Sequence, residues 1–456
     1  MIFERIKSEG IAHNSYLIGS ESEAAVIDPR RDCQVYVDLA QRNGLKIKQI
    51  FETHRNEDFV VGSTELNNLT GAIIYHGPGL EWKYGSTLKD NEEFNVGRLS
   101  LTAIHTPGHT NESMSYAVAD LSSSKATVMV FTGDALFVND VGRTDFCGSE
   151  ETPRMASNIF DSIFNKILPL GDGVILCPGH GAGSVCGMNI GDRDESTLGT
   201  ERLYNPVLQM NKDNFIKYKI AEHLEKAPYF RQMEKYNLEG PPVLGCLPLP
   251  SPLTPNEFIK EMEKGAIVVD TSMPASFGGS HIKGAYSIWL EGLSVFAGWV
   301  LPYDKPILLV LEDQCHLEKT VRYLIRVGYD QIIGYLRDGT EGWYNSGLPF
   351  ESLPLLSVYQ LKDKMDRGEE LLVLDTRGKE EWDAGHIEGT LNIYVGHLEQ
   401  RLDEVPRDRP VAVICNVGHM ATLASSILLR AGYQEIHPVL GSMKAWVAAG
   451  FPTNTD

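Results

Sequence analysis

Apolar and polar positions alternate in short runs through residues 1 to about 185. The run YLIGSESEAAVIDP has a polar centre between two apolar arms, which predicts a β-hairpin. Three further runs, LSLTAIHTPGHT, ATVMVFTGDALF and GVILCPGH, each predict an apolar strand that passes into a polar loop. All three reach a His or an Asp, and loops held on a rigid scaffold are where functional residues concentrate.

The pattern changes after residue 185. Residues 211–237 carry a helical periodicity, which Pro228 interrupts. The proline-rich run EGPPVLGCLPLPSPLTP follows, and its composition predicts a linker. We therefore assign residues 1–245 to one domain that ends in a helical extension.

An internal repeat occupies the rest of the chain. GAIVVDTSMPASFGGSHIKGAYSI at residues 265–288 matches ELLVLDTRGKEEWDAGHIEGTLNI at residues 370–393. A period of roughly one hundred residues is too long for a solenoid and indicates two copies of one domain. We place the copies at residues 250–350 and 355–456. Strands alternate with helical segments in each copy, which predicts a mostly parallel α/β sheet.

Composition limits the classes of partner. The chain has 456 residues, of which 42% are hydrophobic and 22% are charged, as in an ordinary globular protein. Its net charge of -20 argues against nucleic acid or a membrane surface as a partner, because both require a basic face. We expect no signal peptide and no transmembrane segment. Seven scattered cysteines without C-x-x-C pairs predict a reducing, cytoplasmic setting.

Four motifs follow one another in the first domain: THRNED, HTPGHT, TGDALF and PGHG. They resemble the ordered motifs of the metallo-β-lactamase superfamily, which implies an αββα sandwich with a metal at one edge of its two sheets. The stretch GDALFVNDVGRTDF is similar to that of the persulfide dioxygenases within the superfamily. This resemblance implies one Fe(II) ion per chain, bound by His54, His109 and Asp134. Arg143 would then support the site or contact substrate.

The segment THRNEDF departs from the H-x-H-x-D-H motif of dinuclear metallohydrolases. Asn56 and Phe59 stand where two further histidines would be. Two histidines and one carboxylate leave three positions open on an iron ion, which suits a non-haem Fe(II) oxygenase. The departures therefore argue against a second metal ion, and we expect Asp58 and His180 to support the ligands. A hydrolytic site with one zinc ion, or a decayed site without metal, are the alternatives.

The repeated domain resembles rhodanese. Each copy opens with D-T after an apolar strand, continues with H-I-x-G, and closes near a Trp and a G-x-P. The resemblance implies a Cys at a strand end, cradled by backbone N–H groups at the start of a helix. In the second copy VAVICNVGHMA supplies Cys415, and the cradle loop runs from Asn416 to Met420. Gly418 fits the tight turn that such a loop needs.

Two positions depart from the usual rhodanese pattern. Leu311 occupies the position of Cys415 in the first copy, and Cys315 lies four residues later in the wrong register. We therefore expect the first copy to be catalytically silent. Rhodaneses often carry an Arg near the end of the loop, where this chain has Met420. The missing positive charge favours a thiol persulfide over anionic thiosulfate as the sulfur donor.

The order of the domains resembles bacterial fusions of a persulfide dioxygenase with a sulfurtransferase. In that family a further Cys lies in PGHGAGSxCG, which suggests a persulfide-carrying or substrate-gating role for Cys186. The resemblance implies oxidation of a thiol persulfide by dioxygen to sulfite, with Cys415 linking sulfite and thiosulfate in sulfide detoxification. Glutathione, coenzyme A, bacillithiol and cysteine all stay open as the thiol. A homodimer or homotetramer is expected.

Two rival functions belong to other classes. A thioester hydrolase of the glyoxalase II kind, fused to a sulfurtransferase, needs a water-activating and usually dinuclear centre. Asn56 and Phe59 count against it. A non-catalytic persulfide carrier or sensor would combine a degenerate metal site with Cys415 as its only working group. Metal content separates the three hypotheses: one iron ion, two zinc ions, or none.

Overall fold

The computed structural model describes residues 1–222 and 224–455. They divide into two compact units. The first is Met1–Leu247 with Ile325–Gly328, and the second is Pro248–Leu324 with Tyr329–Asp456. Within the described residues, every helix is too short or too polar to cross a membrane.

The first unit contains two six-stranded sheets. The strands of the first sheet are neighbours in chain order: β1 (Ile2–Ser8), β2 (His13–Ser20), β3 (Glu23–Ile27), β4 (Lys46–Phe51), β5 (Ile73–His76) and β6 (Ser86–Thr87). β1, β2 and β3 pair antiparallel, and the remaining neighbours pair parallel. The predicted hairpin is present, with Tyr16 opposite Ile27.

The second sheet also keeps its strands in sequence order. They are β7 (Glu93–Val96), β8 (Leu99–His105), β9 (Met114–Asp120), β10 (Thr127–Gly133), β11 (Ile175–Pro178) and β12 (Ser196–Thr197). All neighbours are antiparallel except β10 and β11, which are parallel. The three runs that were predicted as strands correspond to β8, β10 and β11.

Alternation along the strands gives each sheet two buried faces. One face of each sheet contributes to a shared core, in which Ile18 and Ile27 of the first sheet join Leu101 and Phe131 of the second. The opposite faces pack under helices. The helices of this unit are α1 (Gln34–Arg42), α2 (Ser63–Thr70), α3 (Thr152–Ser162), α4 (Leu198–Tyr204), α5 (Lys212–Ala221) and α6 (Phe230–Glu239). The result is the αββα sandwich that the motifs imply.

Each outer layer has its own core. α1 covers the first sheet through Tyr36, and α3 covers the second sheet through Ile159. The helical periodicity of residues 211–237 corresponds to α5 and α6, which end and begin on either side of Pro228. Short turns of other helical types also occur: the π turn Ile163–Ile167 and the 3₁₀ turns Leu168–Leu170, Pro206–Gln209, Leu290–Gly292, Gln314–His316, Val395–Gln400 and Leu402–Glu404.

The second unit begins with a five-stranded parallel sheet. Its strands are β13 (Ser251–Leu253), β14 (Ile267–Asp270), β15 (Tyr286–Ser287), β16 (Ile307–Val310) and β17 (Ile332–Leu336), in the spatial order β13-β17-β16-β14-β15. Its helices are α7 (Pro255–Glu263), α8 (Pro274–Gly279), α9 (Leu293–Val300), α10 (Leu317–Arg326) and α11 (Gly339–Asn345). The end of the predicted linker therefore forms β13. Pro252 is tolerated there because β13 is an edge strand.

The second copy repeats this plan with a four-stranded parallel sheet. Its strands are β18 (Leu372–Asp375), β19 (Leu391–Asn392), β20 (Val411–Ile414) and β21 (Ile436–Pro438), in the spatial order β19-β18-β20-β21. Its helices are α12 (Val358–Asp366), α13 (Lys379–Ala384), α14 (His419–Arg430) and α15 (Ser442–Ala448). The mostly parallel sheets expected for both copies are thus present.

Matching hydrogen bonds align the two copies. The N–H of Thr271 donates to the carbonyl of Val310 over 2.9 Å, and the N–H of Thr376 donates to the carbonyl of Ile414 over 2.9 Å. The residues that follow these two carbonyls, Leu311 and Cys415, therefore occupy equivalent positions.

Candidate functional site

Four strand ends meet at one edge of the sandwich. His54 follows β4, His109 lies in the loop between β8 and β9, Asp134 follows β10, and His180 follows β11. All four side chains are at most 2% exposed. The local fold explains why the sequence places polar groups there, because strands that end at the same edge bring their following loops together.

Three donor atoms converge within this cluster. Asp134 Oδ2 lies 3.8 Å from His54 Nε2 and 3.5 Å from His109 Nε2. Donors bound about 2.0–2.2 Å from one ion lie roughly 3.0–3.6 Å apart. Among the described residues, neither Nε2 atom has a hydrogen-bond partner, although both are buried. Two unsatisfied imidazole nitrogens facing a carboxylate fit a metal site, because a bound cation would satisfy all three atoms.

The tautomer of His109 is fixed from its far side. His109 Nδ1 lies 3.0 Å from the carbonyl oxygen of Arg143, which can only accept. Nδ1 must therefore carry the proton, and Nε2 presents its lone pair to the cluster. Hydrogen bonds of this kind orient histidines that bind metals.

His54 is oriented in the same way through a hydroxyl. Thr53 Oγ1 donates to Asp28 Oδ2 over 2.7 Å and lies 2.9 Å from His54 Nδ1. Since its one proton goes to Asp28, Thr53 accepts from Nδ1, and the lone pair of His54 also stays on Nε2. Burial raises the pKa of Asp28 to about 7, and its hydrogen bonds with Thr53 partly offset this rise.

The charge states suit metal binding. Burial lowers the pKa of His54 to about 3 and also lowers the pKa of His109, so both imidazoles are neutral at pH 7. Burial acts to raise the pKa of Asp134, but the neighbouring histidines and the hydrogen bond from His180 outweigh it and lower the pKa. Neutral histidines and an ionised carboxylate are the forms that bind a divalent cation.

His180 links two carboxylates. Its Nδ1 lies 2.8 Å from Asp134 Oδ1, and its Nε2 lies 3.1 Å from Asp58 Oδ2. Burial acts to lower the pKa of His180, but the charges of Asp134 and Asp58 outweigh it and raise the pKa. An imidazolium in this place contacts both oxygens of Asp134, at 2.8 Å and 3.0 Å, and holds the carboxylate with Oδ2 also facing His54 and His109.

The two departures from the dinuclear motif do not supply ligands. The Asn56 amide donates to the backbone carbonyl of His54 over 3.3 Å. The Phe59 ring lies 4.1 Å from the His13 ring, measured between centroids. Both side chains are buried, so the missing histidines are replaced by groups with structural contacts.

Sequence reasoning missed Glu57. Its Oε2 lies 4.0 Å from His54 Nε2 and 3.8 Å from His109 Nε2, and the side chain is fully buried. Only the spacing of three residues from His54 could have pointed to it, and that spacing is not diagnostic outside a helix. The loop conformation, which the pattern does not specify, brings Glu57 to the cluster.

Cys186 also lies beside the cluster. Its Sγ and the donor atoms of His109 and Asp134 are all within 4.8 Å of one another, and the same holds for Cys186, Asp58 and His180. Burial raises the pKa of the Cys186 thiol well above its usual value, and the charges of Asp58 and Asp134 raise it further. The residue is 1% exposed.

Arg143 is committed to its own loop. Its guanidinium forms a bidentate pair with Asp145, with N–O distances of 2.7 Å and 2.8 Å, and donates to the carbonyl of Val185 over 3.1 Å. It also lies 4.8 Å over the centroid of the Phe146 ring, and the centroids of the Phe146 and His109 rings are 5.2 Å apart in an edge-to-face arrangement. Arg143, which is 1% exposed, thus positions the Phe146 ring beside His109.

The second candidate site is the loop after β20. Cys415 is 1% exposed, and its Sγ accepts the N–H of Gly418 over 3.0 Å. Gly418 has φ of 111°, which favours glycine, and it immediately precedes the 12-residue helix α14. Asn416 is exposed and Met420 is half-buried. A backbone N–H and a helix N-terminus both stabilise negative charge on sulfur.

The first copy lacks these features. Leu311 is 5% exposed and is followed by a 3₁₀ turn, Gln314–His316. Asp313 Oδ1 accepts the N–H of Cys315 over 2.8 Å, and a side-chain hydrogen bond with Asp313 raises the pKa of the exposed Cys315 thiol. No cysteine of the described first copy occupies the position of Cys415.

Two family models match the chain. The metallo-beta-lactamase superfamily model matches residues 9–180, and the rhodanese-like domain model matches residues 254–346 and 357–449. A metallo-beta-lactamase structure from Staphylococcus aureus is 31% identical, with a TM-score of 0.66, and the alignment covers 74% of this chain and 98% of that one. The chain belongs to the metallo-beta-lactamase superfamily and joins that domain to two rhodanese-like domains.

Two curated relatives match the first unit. An uncharacterized protein of Mycobacterium tuberculosis is 33% identical over 228 residues, which are 44% of this chain and 94% of the relative. The mitochondrial persulfide dioxygenase ETHE1 of Bos taurus is 29% identical over 215 residues, which are 44% of this chain and 74% of the relative. The first unit of the chain is therefore homologous to a persulfide dioxygenase, and in this chain two rhodanese-like domains follow it.

Proposed function

We propose that the protein oxidises a low-molecular-weight thiol persulfide to sulfite with dioxygen and transfers sulfane sulfur through Cys415. The observation that carries this proposal is the pair of buried, unpartnered Nε2 atoms of His54 and His109 that face Asp134. The homology to a persulfide dioxygenase supports the reaction class. The rhodanese-like domains support the sulfur transfer.

His54, His109 and Asp134 would hold one Fe(II) ion per chain, with zinc as the alternative metal. The bound iron would supply the redox chemistry that lets dioxygen oxidise sulfur. His180 and Asp58 hold the Asp134 carboxylate in place. The overall reaction balances: R–S–S⁻, O₂ and H₂O give R–SH, SO₃²⁻ and H⁺, and four electrons pass from the outer sulfur to dioxygen.

Arg143 acts by position in this proposal. It fixes His109 through its backbone carbonyl and holds Phe146 against the His109 ring. The apolar ring excludes water from that side of the cluster. Cys186 is proposed to carry a persulfide or to gate the substrate, because its buried thiol lies beside His109 and Asp134.

Cys415 performs the second reaction in this proposal. The Cys415 thiolate attacks the outer sulfur of a second persulfide, so that Cys415–S–S⁻ forms and R–SH leaves after one proton is transferred. Sulfite then takes the outer sulfur, which gives thiosulfate and restores the thiolate. The N–H of Gly418 stabilises the charge on sulfur. Asn416 and Met420 form the rest of the loop, and the uncharged Met420 favours this direction.

The setting is part of the proposal. Scattered cysteines favour the cytoplasm. Glutathione, coenzyme A, bacillithiol and cysteine persulfides are the candidate substrates, and a homodimer or homotetramer is proposed from the resemblance alone. The role would be sulfide and persulfide detoxification.

Dioxygen uptake tests the oxygenase half. Iron-loaded protein, prepared without oxygen, receives glutathione persulfide or coenzyme A persulfide, and dioxygen is followed with an electrode. We expect rapid uptake that His109→Ala removes. His105→Ala is the matched control, because His105 contacts the Asn111 carbonyl on the same loop and does not belong to the cluster.

The same samples separate the rival functions. Metal analysis should give one iron ion per chain; two zinc ions with thioester hydrolysis would favour the hydrolase, and no metal would favour the carrier. Bound iron without uptake for any persulfide would contradict the proposed oxygenation.

A further inference from the structure

The side chain of Glu57 is fully buried beside the two histidines that the proposed function assigns to iron. Its Oε2 lies 4.0 Å from His54 Nε2 and 3.8 Å from His109 Nε2. Among the described residues, neither carboxylate oxygen of Glu57 has a hydrogen-bond partner. A buried carboxylate in this condition is unfavourable unless it is paired or binds a cation.

The spacing of Glu57 matches that of Asp134. Asp134 Oδ2 lies 3.8 Å from His54 Nε2 and 3.5 Å from His109 Nε2. The corresponding distances from Glu57 Oε2 are only a few tenths of an ångström longer. An ion bound between His54 and His109 would therefore face a carboxylate from Glu57 as well as one from Asp134, and the donor atoms of His54, Glu57 and His109 all lie within 4.8 Å of one another. Carboxylate and imidazole donors together suit divalent cations such as Fe(II) and Zn(II).

Arg55 accounts for the orientation of the Glu57 carboxylate. Its Nη2 lies 3.6 Å from Glu57 Oε1 and 3.1 Å from Glu234 Oε1. The guanidinium therefore faces one oxygen of Glu57, while the other oxygen faces the histidines. Outer partners of this type hold the carboxylate ligands of metal sites in position.

We propose that Glu57 is a fourth protein ligand of this metal ion, which makes the centre a two-histidine, two-carboxylate site. The inference rests on the proposed function only in assuming that the cluster binds a metal. Two carboxylates balance the charge of a divalent cation. An anionic persulfide would then approach a neutral centre, and a six-coordinate ion would keep two positions for other molecules instead of three.

Cobalt binding to the metal-free full chain tests the proposal without reference to activity. Co(II) is titrated into wild type, Glu57→Gln and Glu112→Gln in competition with a coloured chelator, and visible absorption is recorded. Glu112 is the matched control, because it is a buried carboxylate that accepts the N–H of Arg55 over 3.2 Å and lies outside the donor cluster. Thermal unfolding of the metal-free forms checks that each variant is folded.

We expect Glu57→Gln to change the absorption bands and to weaken Co(II) binding by at least about 10–100-fold, the loss that even partners outside the ligand set cause. Glu112→Gln should weaken binding less than Glu57→Gln does and should leave the bands unchanged, since the ligand set is intact. Wild-type affinity and bands in Glu57→Gln would overturn the proposal. Weaker binding with unchanged bands would also overturn it, because Glu57 would then act through its charge without being a ligand.

The result can be separated from the fate of the proposed function. Suppose that wild type binds Co(II), that Glu57→Gln weakens this binding and changes the bands, and that iron-loaded wild type consumes no dioxygen. Glu57 would then still be a ligand, and the proposed oxygenase activity would be contradicted. Wild type that binds no Co(II) would overturn the ligand role of Glu57 directly.

Discussion

The two candidate sites of this chain use different parts of the polypeptide. In the first unit, loops after four strands each supply a buried side chain, and His54, His109, Asp134 and His180 meet at one sheet edge. In the last domain one loop supplies a single side chain, Cys415, and the N–H of Gly418 supplies the contact to sulfur.

This difference sets how each site responds to change. Side chains that share one cluster depend on one another, because removing one leaves buried polar atoms unsatisfied in the rest. A backbone cradle depends on loop conformation, so it tolerates side-chain changes at exposed positions such as Asn416. The first site should therefore be sensitive to single ligands and to pH, and the second to backbone geometry.

Removal of the metal should separate the sites most strongly. A chelator should lower persulfide-dependent dioxygen uptake by at least about 100-fold, since even partners outside the ligand set change activity by 10–100-fold. Sulfur transfer from persulfide to sulfite should stay within about twofold, because the reaction proposed for Cys415 needs no metal. Re-addition of Fe(II) is the control. Parallel loss of both activities would show that the two sites are not independent.

The pH dependence of stability should be specific to the first site. In the folded, metal-free protein, burial lowers the pKa of His54 to about 3. In the unfolded chain the pKa of the same side chain is about 6.5. The unfolded chain therefore takes up a proton below pH 6.5 that the folded chain does not, and the free energy of unfolding falls as pH falls.

His54→Gln removes this contribution. When the pH falls from 7 to 5, the free energy of unfolding of wild type should fall by about 2 kcal/mol more than that of the variant. Urea unfolding of the metal-free proteins at both pH values measures it. An equal difference at pH 7 and pH 5 would mean that the pKa of His54 is the same in the folded and the unfolded protein.

Gly418→Ala tests the dependence of the second site on the backbone. Its φ of 111° disfavours any side chain, so the variant should lose about 1–3 kcal/mol of stability and transfer sulfur about tenfold more slowly. Gly432→Ala is the control, because Gly432 also has a positive φ, 86°, but is not adjacent to Cys415. Thermal unfolding and thiosulfate formation are the readouts. Equal slowing in both variants would contradict a specific role for the loop.

Leu311→Cys should have the smallest effect. Made together with Cys415→Ser, it restores a cysteine at the equivalent strand end of the first copy. Gln314 stands where Gly418 does, and the following 3₁₀ turn offers no comparable cradle. We expect thiosulfate formation to stay at the level of Cys415→Ser alone. Recovery of transfer would show that the cysteine, and not the loop, is what the first copy lacks.

The sequence predicted more of the fold than of the site. The internal repeat and the strand patterning predicted both parallel domains, and the resemblance carried by the four ordered motifs implied the sandwich. The linker assignment was too long, since an edge strand admits Pro252. The domain limits near 245, 350 and 355 stay predictions.

Site details depended on loop conformations. The strand-end positions of His54, His109 and Asp134 were visible as motifs, and their ligand roles stay predictions. The place of Glu57 beside the histidines was not visible, because an irregular loop sets it. The sequence suggested that Arg143 supports the site or contacts substrate, and this role stays a prediction; the structure shows the Arg143 guanidinium paired with Asp145.

The products formed per dioxygen consumed test the coupled reaction most directly. Iron-loaded wild type and Cys415→Ser receive the same persulfide, and sulfite and thiosulfate are quantified against dioxygen. The account predicts mainly thiosulfate from wild type, and sulfite alone from Cys415→Ser at one per dioxygen. Thiosulfate from Cys415→Ser at the wild-type ratio, or dioxygen uptake without sulfite or thiosulfate, would contradict it.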